Sequence, residues 1–173
     1  MELHGSTFTL RGWRHGDETS LQEHADNRNV SAYLFDRYPN PYTLKDAEDW
    51  VAYCMEQDPL VNFAIDVDGQ VVGGIALELR ADVYRKTPLI GYWLGQEYWG
   101  RGIMPEAVKL VTNYAFYNLD IISIQALVFS GNPKSMRVLE KAGYQKQGVI
   151  KSSVYKNDVI YDEHVYSALG PVE

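Results

Sequence analysis

Apolar and polar residues alternate along Thr7-Phe8-Thr9-Leu10-Arg11-Gly12-Trp13, with Phe8 and Leu10 on one face, which predicts a half-buried strand. After Gly16-Asp17 the pattern turns helical. An aromatic, proline-bearing loop between Tyr33 and Pro41 leads to Thr43, which caps a second helix with Asp46 three residues on as its capping-box partner. Leu44, Ala47, Trp50, Val51 and Cys54 recur at helical spacing, so Cys54 reads as a small hydrophobe on a buried face rather than a nucleophile.

Val61, Phe63, Ile65 and Val67 alternate with polar or small residues, and Asp68-Gly69 then marks a tight hairpin into a strand from Gln70 to about Arg80. Gly73-Gly74 inside that strand predicts a bulge or a close approach to the backbone. Leu89 to Leu94 is continuously apolar, as expected of a central strand covered on both faces. A long helix from about Gly102 to Leu119, with Val108, Val111, Ala115 and Leu119 on one face, and a strand from Ile122 to Phe129 complete a parallel, right-handed crossover. Asn132 is a good N-cap before Pro133, Gly143 ends that helix, and two strands from Tyr144 to Tyr155 and Val159 to Leu169 close the chain as a hairpin around Lys156-Asn157-Asp158. The expected architecture is a mixed sheet covered by helices.

The chain has 173 residues and neither internal repeats nor a flexible linker, so residues 1–173 are expected to form one domain. Hydrophobic residues at 46% and charged residues at 23% match ordinary globular usage and exclude a disordered chain. The net charge of −7, with 16 dispersed Lys and Arg, argues against nucleic acid as a partner. One cysteine allows no internal disulfide, and no apolar run approaches the roughly 18 residues of a membrane span. Without signal-peptide character at Met1 to His4, a cytoplasmic location is expected. His4, His15, His24 and His164 show no metal spacing, so no metal is expected.

The sharp chemical signal is Glu97-Tyr98-Trp99-Gly100-Arg101-Gly102-Ile103-Met104, between the central strand and the long helix. Two glycines bring a ligand close to the main chain, and a helix start offers unpaired amides with a positive dipole end, so the turn suits an anion. A Walker loop is excluded because Arg101 and Gly102 stand where Lys and Ser or Thr are required. The dinucleotide fingerprint fails too, since Pro105 stands at its third glycine.

Together with Asn132-Pro133-Lys134-Ser135 and Glu140-Lys141-Ala142-Gly143-Tyr144, the run Tyr98-Trp99-Gly100-Arg101-Gly102 followed by Glu106-Ala107 resembles the RimJ/RimL-like branch of the GNAT N-acetyltransferases over roughly residues 7 to 169. The resemblance implies the GNAT fold: α/β (α+β), with a mixed, mostly antiparallel sheet, helices on both faces and a splayed central parallel strand pair. It implies an acetyl-CoA-dependent enzyme acetylating a primary amine, either a small molecule or a protein N-terminus, as a monomer or homodimer without nucleic acid or membrane. By matching positions, Trp93 and Leu94 pair with the pantetheine arm, with the Leu94 amide donating to the thioester carbonyl. The amides of Gly100, Arg101, Gly102, Ile103 and Met104 hold the pyrophosphate, and Asn132 bonds a pantetheine amide or serves as N-cap, or both. Ser135 is the implied general acid toward the leaving thiolate.

Three departures from the family pattern stand out. Pro105 replaces the usual threonine, Glu97 the usual Gln or Arg, and Val154 the glutamate that some members use as base. Glu78, late in the strand before the central one, is the substitute candidate. A non-catalytic acyl-CoA-binding or regulatory module on the same fold is the alternative at this stage.

Overall fold

The computed structural model describes residues 1–171. Its strands are β1 (Glu2–His4), β2 (Thr9–Arg11), β3 (Asn62–Val67), β4 (Gln70–Glu78), β5 (Leu89–Leu94), β6 (Ser123–Phe129), β7 (Gln145–Lys156) and β8 (Val159–Leu169). Their hydrogen-bonded order is β1-β2-β3-β4-β5-β6-β8-β7. The helices are α1 (Glu18–Ala25), α2 (Arg28–Ser31), α3 (Leu44–Met55), α4 (Ile103–Asn118) and α5 (Pro133–Lys141). β5 and β6 run parallel across the α4 crossover, while the ladders β1–β2, β2–β3, β3–β4, β6–β8 and β7–β8 are antiparallel. Contacts divide the chain into two compact units, Met1–Ala76 with Tyr92–Ala107, and Leu77–Gly91 with the residues from Val108 on; β4, β5 and α4 contribute to both.

In the first unit, α1 and α3 bury Leu21, Ala25, Ala47, Val51 and Cys54 with Trp13, Tyr42, Ala64 and Val71. The expected capping box starts α3: the Asp46 amide donates to Thr43 Oγ1, and the Thr43 amide donates to the Asp46 carboxylate. Burial pushes the Cys54 thiol up to about 12, so it packs as a hydrophobe and is not a thiolate near neutrality. Leu44 is an exception to the expected stripe, being 48% exposed. At the first helical position it lies beyond the residues on which α3 packs. The strand expected over Thr7 to Trp13 is only Thr9–Arg11, and it pairs with β1, which the polar Glu2-Leu3-His4 did not announce.

β3 and β5 differ from expectation in opposite senses. Asn62 and Ala64 are as buried as Phe63 and Ile65, so both faces of β3 are covered where alternation predicted one. β5 has an exposed Gly91 and half-buried Tyr92 and Trp93, because its apolar run is built partly from glycine and amphipathic rings. The glycine pair of β4 is a site of close approach: a Cβ on Gly73 would lie 2.6 Å from the Trp93 carbonyl oxygen.

A buried ion cluster ties β2 to α1 and to the β3–β4 hairpin. The Arg11 guanidinium donates to both Asp17 oxygens at 2.8 and 2.9 Å and through Nε to Asp66 at 2.7 Å. Asp17 also accepts the Arg14 amide and Asp66 the Gly69 amide. The three side chains are 5%, 6% and 11% exposed.

In the second unit β6 and β8 pair over seven residues, from Ser123↔Leu169 to Phe129↔Glu163. The parallel register of β5 with β6 is the single pair Leu89↔Gln125, and among the described residues Ile90 and Gly91 have no register partner on β6. The closing hairpin turns at Asn157-Asp158, both in the left-handed region, and β7 bulges between Ile150 and Val154. α5 is tied down by Leu139, fully buried, and by Glu140, which accepts the Tyr166 hydroxyl at 3.1 Å.

Replacing Arg11 by Met would leave two buried carboxylates facing each other. Urea titration should show a loss of about 3–5 kcal/mol of unfolding free energy, largely restored when Asp17→Asn and Asp66→Asn are added. A loss below about 1 kcal/mol would show that the cluster contributes only as a surface ion pair does.

Candidate active site

The strand-to-helix turn of the first unit is held from several sides. Beyond β5, the Gly95 amide donates to the Val72 carbonyl at 2.7 Å, and one turn of 3-10 helix spans Gln96–Tyr98. The Trp99 indole donates back to the Leu94 carbonyl at 2.7 Å, tying the turn to the end of the strand it leaves. Asn27 and Asn29, at the start of α2, both donate side-chain amides to the Gln96 side-chain oxygen Oε1 at 3.0 Å. His24 meets the Tyr98 ring edge-on, and the Arg101 guanidinium lies 4.8 Å over the same ring.

From this fixed base the chain passes through Gly100 and Gly102, both left-handed at φ +75° and +78°, and enters α4 at Ile103. The conformation alone asks for glycine at both positions. The surroundings add a second reason, since among the described residues a Cβ at either would meet nothing within 4 Å: the space beside both glycines is open. The first amides of α4 have no partner inside the helix, and Pro105, third in α4, has no amide to offer. Ile103 and Met104 are buried, so their side chains anchor the helix and only their main chain is available to a ligand. Glu106 is engaged elsewhere, accepting the Ser6 amide at 2.9 Å and its hydroxyl at 2.7 Å. A bare, positively polarised rim fits a diphosphate such as that of acetyl-CoA.

Trp93 and Leu94 stand at the end of β5, nine and eight residues before Gly102. The Trp93 ring packs against the first unit's core and meets Tyr38 at 6.0 Å, so its use toward a ligand falls to the main chain. Trp93, Leu94 and residues 100–104 therefore belong to one locality. An open depression of about 390 Å³ lined by His4, Ser6, Phe8, Thr9, Asp66 and Asp68 includes none of them.

The second unit holds Asn132 and Ser135 at the start of α5. Asn132 Oδ1 accepts the Ser135 amide at 3.4 Å, and the Asn132 amide donates to the Phe129 carbonyl at 2.9 Å. The cap uses only the side-chain oxygen; among the described residues the Asn132 side-chain NH2 has no partner, which leaves it free to donate to a ligand carbonyl. Ser135 is half-buried in the first turn. Behind α5, the Tyr144 hydroxyl bonds Thr112 at 2.8 Å, and burial raises it to about 12.

Glu78 is exposed at the last residue of β4. Val154 lies on β7 opposite Tyr161. One acidic group escaped the sequence reading: Glu163 of β8, half-buried opposite Phe129 and Ile150, whose carboxyl burial pushes above the usual carboxylate range. The available signal was its parity with Tyr161 and Val165. Among the described residues no group of three or more His, Cys, Asp or Glu could hold a metal ion, and no helix is long and apolar enough to cross a membrane.

The model of the Acetyltransferase (GNAT) domain matches residues 7–145. A Bacillus subtilis (strain 168) protein named Probable N-acetyltransferase YjcK is 40% identical over 176 residues, spanning 98% of this chain and 97% of its own. Among solved structures, the chain resembles RimL, a ribosomal L7/L12 α-N-protein acetyltransferase in complex with coenzyme A, at TM-score 0.86 and 18% identity over 98% of each chain. It also resembles the microcin C7 self-immunity acetyltransferase MccE in complex with acetyl-CoA and AMP, at TM-score 0.82 and 19% identity over 95% and 93%. The left-handed glycine turn at the mouth of α4, the parallel β5–α4–β6 crossover and these matches agree: the chain belongs to the GNAT acetyltransferases, enzymes that move an acetyl group from acetyl-CoA to an amine.

Proposed function

We propose that this enzyme is a RimJ/RimL-type acetyltransferase of the cytoplasm, a single domain over residues 1–173 that acetylates the primary amine of a protein N-terminus or a small molecule. The observation that carries the reading is the open turn at Gly100 and Gly102, where a Cβ would meet only empty space. In this reading the amides of Gly100, Arg101, Gly102, Ile103 and Met104 bind the diphosphate. Trp93 and Leu94 pair with the pantetheine through main-chain groups, and the Leu94 amide donates to the thioester carbonyl as negative charge develops there. Asn132 donates its free NH2 to a pantetheine carbonyl while its oxygen keeps the cap.

The acceptor amine attacks the carbonyl carbon directly, its geometry set by binding rather than by a covalent enzyme intermediate. Ser135 donates its hydroxyl proton to the departing sulfur; a thiol pKa of about 8.5 asks little of that acid. A cationic acceptor must first lose a proton, and Glu78, late in β4, is the candidate acceptor of that proton carried over from the sequence.

Two variants and the wild type test this assignment. Gly102→Val places a branched side chain in the open space over the turn and should weaken CoA binding at least tenfold by calorimetry while far-UV dichroism stays native; unchanged affinity would remove the cradle from the account. Wild-type protein at 100 times the dissociation constant of acetyl-CoA should gain about 2.7 kcal/mol of stability. Ser135→Ala should retain that gain while kcat falls by about tenfold or more, and equal turnover by the variant would deny Ser135 its role.

A further inference from the structure

β8 lies between β6 and β7, and Glu163 faces Phe129 across one ladder and Ile150 across the other. Residues two apart on a strand share a face, so Tyr161 and Val165 stand beside Glu163, and the Tyr161 ring stacks on Phe129 at 5.9 Å and 23°. A carboxylate is thus framed by two aromatic and two aliphatic side chains and is half-buried among them. Among the described residues the Glu163 carboxylate makes neither a hydrogen bond nor an ion pair. Its neighbour Asp162, on the opposite face, is satisfied twice, by Lys151 Nζ at 3.0 Å and the Ser152 amide at 2.9 Å.

Titratable neighbours do not account for Glu163. On its face β6 presents Gln125, Leu127 and Phe129, and β7 presents Gly148, Ile150, Val154 and, opposite Val159, the buried Lys156; among the described residues of these three strands the groups that can titrate there are the Tyr161 phenol and the Lys156 ammonium, the latter four residues along β8 from Glu163. Lys146, Lys151, Asp162 and His164 lie on the other face, and Arg80 reaches that sheet at Gln125, the far end of the Gln125-Leu127-Phe129 row. Burial is the only cause that raises the Glu163 carboxyl above its ordinary value, which moves it toward the basicity that proton abstraction near neutrality requires.

The carboxylate is also fixed relative to the start of α5. The Ser130 amide donates to the Asp162 carbonyl at 2.9 Å, and the Asp162 amide donates to Ser130 Oγ at 3.2 Å. Phe129, opposite Glu163, accepts the Asn132 amide. The segment that delivers Asn132 and Ser135 is therefore stapled to β8 one residue from Glu163.

We propose that Glu163, rather than Glu78, accepts the proton that the acceptor's ammonium group must lose. The inference rests on the proposed placement of the reacting sulfur near Ser135. Glu163 takes one proton from R-NH3+ and becomes neutral. The R-NH2 lone pair forms the N–C bond, the C–S bond breaks, and sulfur receives a proton from Ser135. A second nitrogen proton leaves as the amide forms and restores the Ser135 hydroxyl, and Glu163 then returns its proton to water. The net change is ammonium plus thioester to amide, thiol and one released proton. The apolar frame both raises the basicity of Glu163 and favours its discharge by an incoming cation.

The test is the pH dependence of kcat/KM for wild type, Glu163→Gln and Glu78→Gln, using the best acceptor among peptides with free N-terminal serine or alanine and spermidine. Because deprotonated Glu163 is the active form, wild-type kcat/KM should rise with pH through the Glu163 titration. Glu163→Gln should lose that limb and fall about a hundredfold at pH 7, keep its acetyl-CoA affinity, and recover as pH approaches the amine's own pKa. Glu163→Asp, which keeps a carboxylate, should retain the limb and fall between the two. A wild-type-like profile in Glu163→Gln, or transfer of the loss to Glu78→Gln, overturns the proposal. A wild type that binds acetyl-CoA yet acetylates none of these amines overturns the acceptor reading on which the proposal rests.

Discussion

One local constraint underlies the proposed site: the chain must turn from the end of β5 into α4 through two left-handed residues while leaving the amides of the first helical turn uncovered. Any residue other than glycine at positions 100 and 102 would be strained and would place a carbon where the turn is open. The unpaired amides and the helix dipole then act at one point, and an anion there replaces the hydrogen bonds that the helix cannot make for itself. A neighbouring side chain folded over the turn would satisfy the same groups and remove the site.

Keeping a turn open requires that it be held from elsewhere. The first unit supplies this with polar groups: the indole of Trp99 on the Leu94 carbonyl, two asparagine amides on Gln96, and the close seating of β5 against Gly73. The buried Arg11, Asp17 and Asp66 cluster fixes β2, α1 and the β3–β4 hairpin, which belong to the same unit. In the second unit the Asn132 cap uses only the side-chain oxygen, so the proposed donation of its nitrogen to a ligand need not compete with the stability of α5.

How far this was legible in the sequence varied with how local the cause was. Asp68-Gly69, the Thr43 and Asp46 capping box and Asn132-Pro133 are governed by neighbours in the chain, and the elements they bound lie where expected. Leu89–Leu94 matched to the residue, yet its burial did not, because continuous apolarity counts Gly91 and two amphipathic rings as though they were core. β1 depends on pairing with β2 and has no periodicity of its own. The left-handed turn at Gly100 and Gly102 was legible because the glycine spacing itself marks it. Glu163 was not, since its character comes from Phe129 and Ile150, more than ten residues away in either strand.

Amide hydrogen exchange with and without CoA, resolved over residues 95–108, tests the central claim most directly. Free protein should exchange rapidly at Gly100, Arg101, Gly102, Ile103 and Met104, whose amides precede the helix's own hydrogen bonding, and CoA should slow exchange at those positions more than at any others in the segment. Unchanged exchange there with CoA bound, or protection confined to other elements, would contradict the claim that these main-chain nitrogens hold the diphosphate.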